Sequence, residues 1–225
     1  MSREDESGAP GRPGERLPSE QVREQARAAE ENPIVRVLLE AVDGLLVVLN
    51  PNLQILAANQ KMLAGRPPEC LLGVRMGEAF QCIHATETPG GCGASPACLQ
   101  CGALQTILRA RSEGRTAEGE CLLTTGEGAA QHSLELNVRA TPVACSGCPY
   151  LVVSLRDISD EKRREALEQI FFHDVLNTLN ALTGWSRALE KAEGERSRQI
   201  AERIATLTRR LVGEVRGQRT LTLAE

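Results

Sequence analysis

The sequence predicts an α+β protein, in which a five-stranded antiparallel sheet carries helices on one face and is followed by an all-α hairpin of two helices. Three observations support this prediction. Two short apolar runs open the central part of the chain, three longer strand-like runs close it, and a helical pattern of leucines occupies the last third. Strands that precede and follow a group of helices favour an antiparallel sheet with helices on one side.

The composition is that of a globular protein and argues against several classes of function. The chain has 225 residues, of which 41% are hydrophobic and 25% charged, and its net charge of −4 gives no reason to expect nucleic-acid binding. No apolar run reaches about 18 residues, so we expect no membrane span. The start, Met1 to Glu6, lacks the basic-then-apolar order of a signal peptide. We therefore expect a cytoplasmic protein.

The N-terminal part divides into a tail and two helices. Residues 1–18 are rich in Gly, Pro and charge, and we expect them to be disordered. Residues 19–42 form a pair of helices in this interpretation, because Asn32-Pro33 interrupts an otherwise helical segment. The apolar side of this helix pair has two possible positions, either on a partner subunit or over the sheet that follows.

The sheet is predicted within residues 43–158. The first run, Leu45 to Leu49, is short and rich in Val, and a turn at Asn50-Pro51-Asn52 returns the chain. Leu134, Leu136 and Val138 alternate with polar residues, which predicts one buried and one exposed face. The remaining predicted strands are 53–57, 119–125, 133–143 and 150–157.

Two segments of this region resemble PAS sensor domains. They read GLLVVLNPNLQILAANQKM (Gly44 to Met62) and LVVSLRDISDEKRREAL (Leu151 to Leu167). In PAS modules the last strand ends in a tripeptide like Asp157-Ile158-Ser159 and continues directly into a signalling helix. The resemblance implies a PAS-like sheet, with Asp157 capping that helix or holding the strand exit.

A cysteine-rich insert, residues 82–102, lies in the middle of this domain. Two thiolates in a C-x-x-C arrangement can hold one metal ion, and four suit either structural zinc or an iron–sulfur cluster. A pair of redox-active thiols, or a set of inert buried thiols, remains an alternative. The predicted metal ligands are Cys82, Cys92, Cys98 and Cys101, with His84 as a possible replacement for Cys82.

The other cysteines are interpreted more simply. Cys145 and Cys148 form a second C-x-x-C on a predicted hairpin turn, where a local disulfide or plain surface thiols are favoured over sharing the first site. Cys70 and Cys121 are expected to be small core residues.

The chain becomes helical from residue 159, and one histidine stands out there. His173 and Asn177 lie four residues apart, so they point the same way on a helix, and Asp174 follows the histidine directly. A carboxylate beside an imidazole can keep one ring nitrogen protonated and leave the other free to attack. An amide one turn further on can orient a water molecule or a phosphoryl oxygen.

The pattern His-Asp-x-x-Asn followed by leucines resembles the phospho-accepting H-box of sensor histidine kinases. The resemblance implies that His173 accepts phosphate, that Asp174 is its acid/base partner and that Asn177 assists phosphoryl handling. It also implies transfer to the receiver domain of a response regulator. The common form has Glu after His and Pro one turn later, so this chain matches a variant.

Residues 159–225 are predicted to form a signalling helix and a dimerisation hairpin. Leu176, Leu179, Leu182 and Leu189 recur at intervals of three or seven on the first helix, and the second helix carries a seam from Ile200 to Val215. Two helices with one apolar stripe each cannot bury that stripe alone, so we expect two chains to form a four-helix bundle.

The sequence contains no phosphate-cradling loop or Asn- and Gly-rich boxes of an ATP-binding domain. We therefore expect no kinase activity from this polypeptide alone, and a separate ATP-binding kinase domain would supply phosphate. Whether the chain is a piece of a longer kinase stays open. The alternative function is a non-catalytic, zinc-stabilised PAS dimer that acts as a protein-interaction module.

Overall fold

The computed structural model describes residues 13, 15–126, 130–145 and 148–223. The strands are β1 (Leu45–Leu49), β2 (Ile55–Ala58), β3 (Ala117–Thr125), β4 (His132–Cys145) and β5 (Cys148–Asp157). The helices are α1 (Ser19–Glu30), α2 (Pro33–Ala41), α3 (Gln60–Leu63), α4 (Met76–Ala79), α5 (Gly102–Glu113), α6 (Ser159–Leu189) and α7 (Gly194–Leu223). Single 3₁₀ turns lie at Pro68–Cys70, Ile83–Ala85 and Pro96–Gln100.

The five strands form one antiparallel sheet in the order β2-β1-β5-β4-β3, which confirms the predicted sheet. The last strand, β5, lies in the centre, between β1 and β4. Strand β3 is longer than predicted and begins at Ala117. The sheet therefore brings the first and last strands of the domain side by side, and the chain leaves it from a central strand.

The inner face of the sheet packs against α5 and the short helices. Val47, Val138 and Val153 are fully buried there, in a core built almost entirely of aliphatic side chains. That composition follows from the scarcity of aromatic residues, 2% of the chain. Buried aliphatic surface is the main stabilising contribution to this domain.

The outer face is also covered, which corrects the expectation that helices lie on one face only. Helix α1 places Val22 and Ala26 against Val48 and Leu56 on that side of β1 and β2. Of the two positions predicted for the N-terminal helices, α1 therefore occupies the one over the sheet. Helix α2 leaves Ile34 and Val37 exposed. Residues 1–12 and 14, most of the predicted disordered tail, lie outside the described residues.

The exit from the sheet is fixed by hydrogen bonds to a neighbouring strand. The backbone N–H of Ile158 donates to the carbonyl of Glu135 over 2.8 Å, and the N–H of Glu135 donates to Ser159 Oγ over 3.0 Å. The carboxylate of Asp157 accepts from the N–H of Ser159 over 2.9 Å. The backbone of Ile158, just before α6, and the side chain of Ser159, the first residue of α6, therefore tie the start of the helix to β4.

The chain divides into two compact units after Asp160. The second unit is the hairpin of α6 and α7, and Gly194 begins α7 with a positive φ of 59°. Leu182 and Leu189 are half-buried, whereas Leu176 and Leu179 are 58% and 44% exposed. Steps of three residues drift round a helix of 3.6 residues per turn, so the predicted single face splits into two. No helix in the described part of the chain has the length and hydropathy that crossing a membrane requires.

Candidate functional site

Five cysteines and His84 line one cavity of about 290 Å³ on the inner face of the sheet. Four of these cysteines are the ones predicted from the sequence, and the fifth is Cys121. Much of the remaining lining is apolar and includes Leu49, Leu104 and Leu155. The structure thus brings together at one cavity residues that lie within positions 82–121 of the sequence.

The predicted ligands come from irregular chain segments, and each has its own local support. Cys82 forms an isolated β-bridge with Thr125 and precedes the turn Ile83–Ala85. Cys98 lies within the 3₁₀ turn Pro96–Gln100, and its Sγ accepts from the N–H of Gly93 over 3.2 Å.

The loop that carries Cys92 is held by a buried arginine and a glutamate. Arg75 is 5% exposed, and one of its guanidinium nitrogens donates to the carbonyl of Cys92 over 2.9 Å. The carboxylate of Glu78 accepts from the N–H groups of Cys92 and Arg75, each over 3.0 Å, and pairs with Arg16. Burial opposes ionisation of Glu78, but these hydrogen bonds lower the pKa of its carboxyl overall. Neither residue was singled out in the sequence.

Two glycines let other segments approach the cysteines closely. A Cβ at Gly77 would lie 2.7 Å from Cys92 Sγ. A Cβ at Gly102, at the start of α5, would collide with the carbonyl oxygen of Glu120 on β3. The helix that begins after Cys101 is thereby packed directly onto the strand that carries Cys121.

Cys101 and Cys121 form a close thiol pair. Their Sγ atoms are 3.9 Å apart, and Cys121 is only 3% exposed. The sequence analysis placed Cys121 in the core, which is confirmed, but missed its neighbour. Side chains on a strand alternate between its two faces, and β3 buries Cys121 together with Leu123 and Thr125. The alternation in the sequence therefore predicts that Cys121 points into the core. The contact with Cys101 depends on how α5 packs, which no local pattern reveals.

The thiols perturb one another's ionisation. Burial is the main cause that raises the pKa of Cys82 and that raises the pKa of Cys92 to about 12, and negative charge on Cys98 and Cys101 acts in the same direction. The hydrogen bond within the pair lowers the pKa of Cys101 and raises that of Cys121.

His84 lies at the edge of the cavity and has a carboxylate partner. Its Nδ1 is 2.6 Å from a carboxylate oxygen of Glu87, and its side chain is partly exposed. The other oxygen of Glu87 accepts from the buried hydroxyl of Ser95, a bond that lowers the pKa of Glu87 together with the contact to His84. The structure thus places His84 beside Cys82, next to the acid that orients its ring.

Cys70 lies outside the cavity. It is exposed on a surface 3₁₀ turn, so its predicted core position was wrong. The backbones of Cys145 and Cys148 are paired in register at the β4–β5 hairpin, and the intervening residues 146–147 lie outside the described residues. Among the described residues, no group of three or more His, Cys, Asp and Glu side chains is arranged to hold a metal ion.

A second candidate site lies on α6, in the helical unit. His173 has an exposed side chain, and its Nδ1 is 3.4 Å from a carboxylate oxygen of Asp174. The amide nitrogen of Asn177 is 3.2 Å from Nδ1 and 3.3 Å from Nε2 of the same ring. The three predicted residues thus form one cluster that solvent reaches freely. With Nδ1 protonated and donating to Asp174, Nε2 carries the lone pair and accepts from the amide of Asn177.

Comparison with known proteins identifies the fold family of the first unit. A family model described as PAS fold matches residues 39–163, more than half of the chain. The chain therefore belongs to the PAS fold family. A search of curated proteins found no match.

Several solved PAS domains are similar to this chain. That of nitrogen regulation protein NR(II) from Vibrio parahaemolyticus is 15% identical, with a TM-score of 0.40, and covers 56% of this chain and 100% of its own. The PAS domain of an HTR-like protein from Haloarcula marismortui is 21% identical, with a TM-score of 0.38 and coverage of 60% and 98%. That of Bordetella pertussis BvgS is 15% identical, with a TM-score of 0.37 and coverage of 64% and 96%.

Proposed function

We propose that this protein is a two-component signalling sensor, in which the cysteine-lined cavity of the PAS domain controls phosphorylation of His173. One observation carries the proposal: a PAS domain with a cavity lined by five thiols continues directly into a helix that exposes a His-Asp-Asn cluster. The signal is redox- or metal-linked, because thiols are the chemistry that this cavity offers.

A short set of contacts supports a connection between the cavity and α6. Cys121 pairs across the sheet with Leu136, the neighbour of Glu135. The backbone of Glu135 in turn holds Ile158 and Ser159 at the start of the helix. A change in the position of Cys121 would therefore be transmitted through one cross-strand pair to the first turn of α6. Such a change affects signalling only if α6 has two conformations and the change stabilises one of them more than the other.

The chemistry at His173 needs a phosphate donor that is not part of the chain described here. In our proposal a separate ATP-binding kinase domain presents ATP, Nε2 attacks the γ-phosphorus, and the bond to ADP breaks. Asp174 stabilises the positive charge on the ring, and Asn177 donates to a phosphoryl oxygen. The aspartate of a response-regulator receiver domain then takes the phosphoryl group.

The hairpin is proposed to work as a homodimer. Phe172, Leu176 and Leu179 form an exposed apolar stripe on α6, and Val212 and Val215 are exposed on α7. A second copy of the same hairpin would cover these residues and complete a four-helix bundle. His173 lies beside this stripe rather than within it, so the ring would stay accessible in the dimer.

The test is phosphorylation of the full chain by a sensor-kinase ATP-binding domain with labelled ATP. We expect acid-labile phosphate on the wild-type chain and none on His173→Gln. Asp174→Asn should slow labelling by about a hundredfold, the lower range for loss of one acid/base group. Equal labelling of wild type and His173→Gln would overturn the proposal, and dimeric protein without any label would favour the zinc-stabilised interaction module.

A further inference from the structure

The cavity beside α5 differs in one respect from a site for a single metal ion. Its five thiols line a cavity of about 290 Å³, and among the described residues no three His, Cys, Asp or Glu side chains are arranged to hold one metal ion. A tetrahedral zinc with bonds of about 2.3 Å would draw its four sulfurs to within about 4 Å of each other and leave no space between them. A cluster of several iron and sulfide ions occupies such a space and bridges ligands that stand further apart.

We propose that an iron–sulfur cluster occupies this cavity, ligated by Cys82, Cys92, Cys98 and Cys101. The inference deepens the proposed function, since it names the cofactor of the sensor cavity on which that function rests. Each thiol releases its proton when it binds iron, so the cluster supplies the positive charge that lets four thiolates share one buried site.

Backbone amides around the cavity suit cluster ligands. The N–H of Gly93 donates to Cys98 Sγ over 3.2 Å. Cys82 is the N-cap residue of the turn Ile83–Ala85, and Cys101 is the N-cap residue of α5. The first N–H groups of a helix have no partner within the helix, so they can donate to a thiolate placed there. Hydrogen bonds to ligand sulfurs stabilise thiolate charge and set the potential of iron–sulfur centres.

The apolar part of the cavity lining also favours an iron–sulfur cluster. Leu49, Leu104 and Leu155 are buried side chains of the domain core that also line the cavity. They limit the access of water to the centre, and burial is one of the main determinants of cluster stability and potential.

Cys121 is the fifth thiol, and the geometry assigns it a different role. The four proposed ligands come from turns and helix ends, where the backbone can adjust around a cluster. Cys121 lies within β3, where its register with Leu136 on β4 is fixed. It stands behind Cys101 at 3.9 Å and donates to or accepts from that sulfur. Cys121 is therefore a positioning residue that holds the Cys101 ligand. Through Cys101 it also connects the proposed cluster to the sheet.

The experiment uses the full chain, purified without oxygen and reconstituted with ferrous iron and sulfide. We expect iron and acid-labile sulfide in equal amounts, with visible charge-transfer absorption. Cys82→Ser and Cys101→Ser should each lose most of both, whereas Cys121→Ala should retain the iron with a shifted spectrum. Cys70→Ser, at an exposed cysteine outside the cavity, is the matched control and should behave like wild type.

Three outcomes would overturn this assignment: tightly bound zinc without sulfide, iron loss in Cys121→Ala as complete as in Cys101→Ser, or unchanged iron in both ligand variants. Circular dichroism of each variant excludes general unfolding as the cause of iron loss. His173→Gln should carry a full cluster. A cluster without phosphorylation of His173 would therefore contradict the proposed function alone, and phosphorylation without a cluster would contradict this inference alone.

Discussion

The sensor domain and the helical hairpin solve the problem of burying apolar surface in opposite ways. The sensor domain covers both faces of its sheet, with α1 on one side and α5 on the other, and Val47, Val138 and Val153 have no exposed surface. The described part of α6 contains no buried residue, and Phe172 and Leu176 are largely exposed. A domain with its own core can be stable alone, whereas the exposed apolar side chains of the hairpin are the surface that the proposed dimer would cover.

The largest expected effect tests the core of the sensor domain. Leu155→Ala removes a side chain that is 2% exposed in the centre of the sheet. We expect a loss of about 2–5 kcal/mol in the free energy of unfolding, because a cavity replaces buried contacts. Hydrogen exchange resolved by region should show faster exchange in β1 and β5. Equally faster exchange throughout α7 would contradict the view of two separate units.

The next effect tests the dependence of the hairpin on a partner. Leu176→Glu places a carboxylate in the exposed apolar stripe of α6. The dimer should weaken by about a hundredfold or more, because burying an unpaired charge costs several kcal/mol and each ~1.4 kcal/mol is a factor of about ten. Sedimentation at several concentrations measures this change. Ala166→Glu adds the same charge at an exposed position of α6 outside the stripe, and a comparable effect there would contradict the proposed dimer surface.

Close approach of α5 to β3 predicts a smaller effect on the sensor domain. Gly102→Ala would force its new methyl group against the carbonyl of Glu120. We expect destabilisation by about 1–3 kcal/mol, the usual cost of overpacking. The displacement should also separate Cys101 from Cys121, which the rate of thiol alkylation by a small reagent would measure. An unchanged midpoint in chemical unfolding would show that α5 can move away from β3 without loss of stability.

The same substitution should have the opposite sign in the hairpin. Gly184 lies inside α6, and a Cβ there would meet no atom within 4 Å. Gly184→Ala should therefore stabilise the helix by about 0.5–1 kcal/mol through its higher helix propensity. Fluorescence of Trp185, the single tryptophan of the chain, follows unfolding of this unit. Destabilisation by Gly184→Ala would indicate that another surface packs closely against this position.

Sequence patterns predicted the parts of the fold that depend on local periodicity. The alternation of Leu134, Leu136 and Val138 identified a strand with one buried face, and the spacing of His173 and Asn177 placed both on one side of a helix. Four of the five cavity cysteines were grouped because they lie within one short segment. Nearness along the chain was sufficient for those predictions.

Contacts between distant segments required the tertiary structure. Cys121 lies 20 residues after Cys101, and their sulfurs meet because Gly102 allows α5 to pack onto β3. Arg75 and Glu78 support the Cys92 loop from α4 and the residue before it, and no motif marks them. The helical period fixed which residues of α6 share a face, but it did not predict that Leu182 is half-buried and Leu176 exposed. A side chain's direction is set by its own backbone, whereas its neighbours are set by packing between elements.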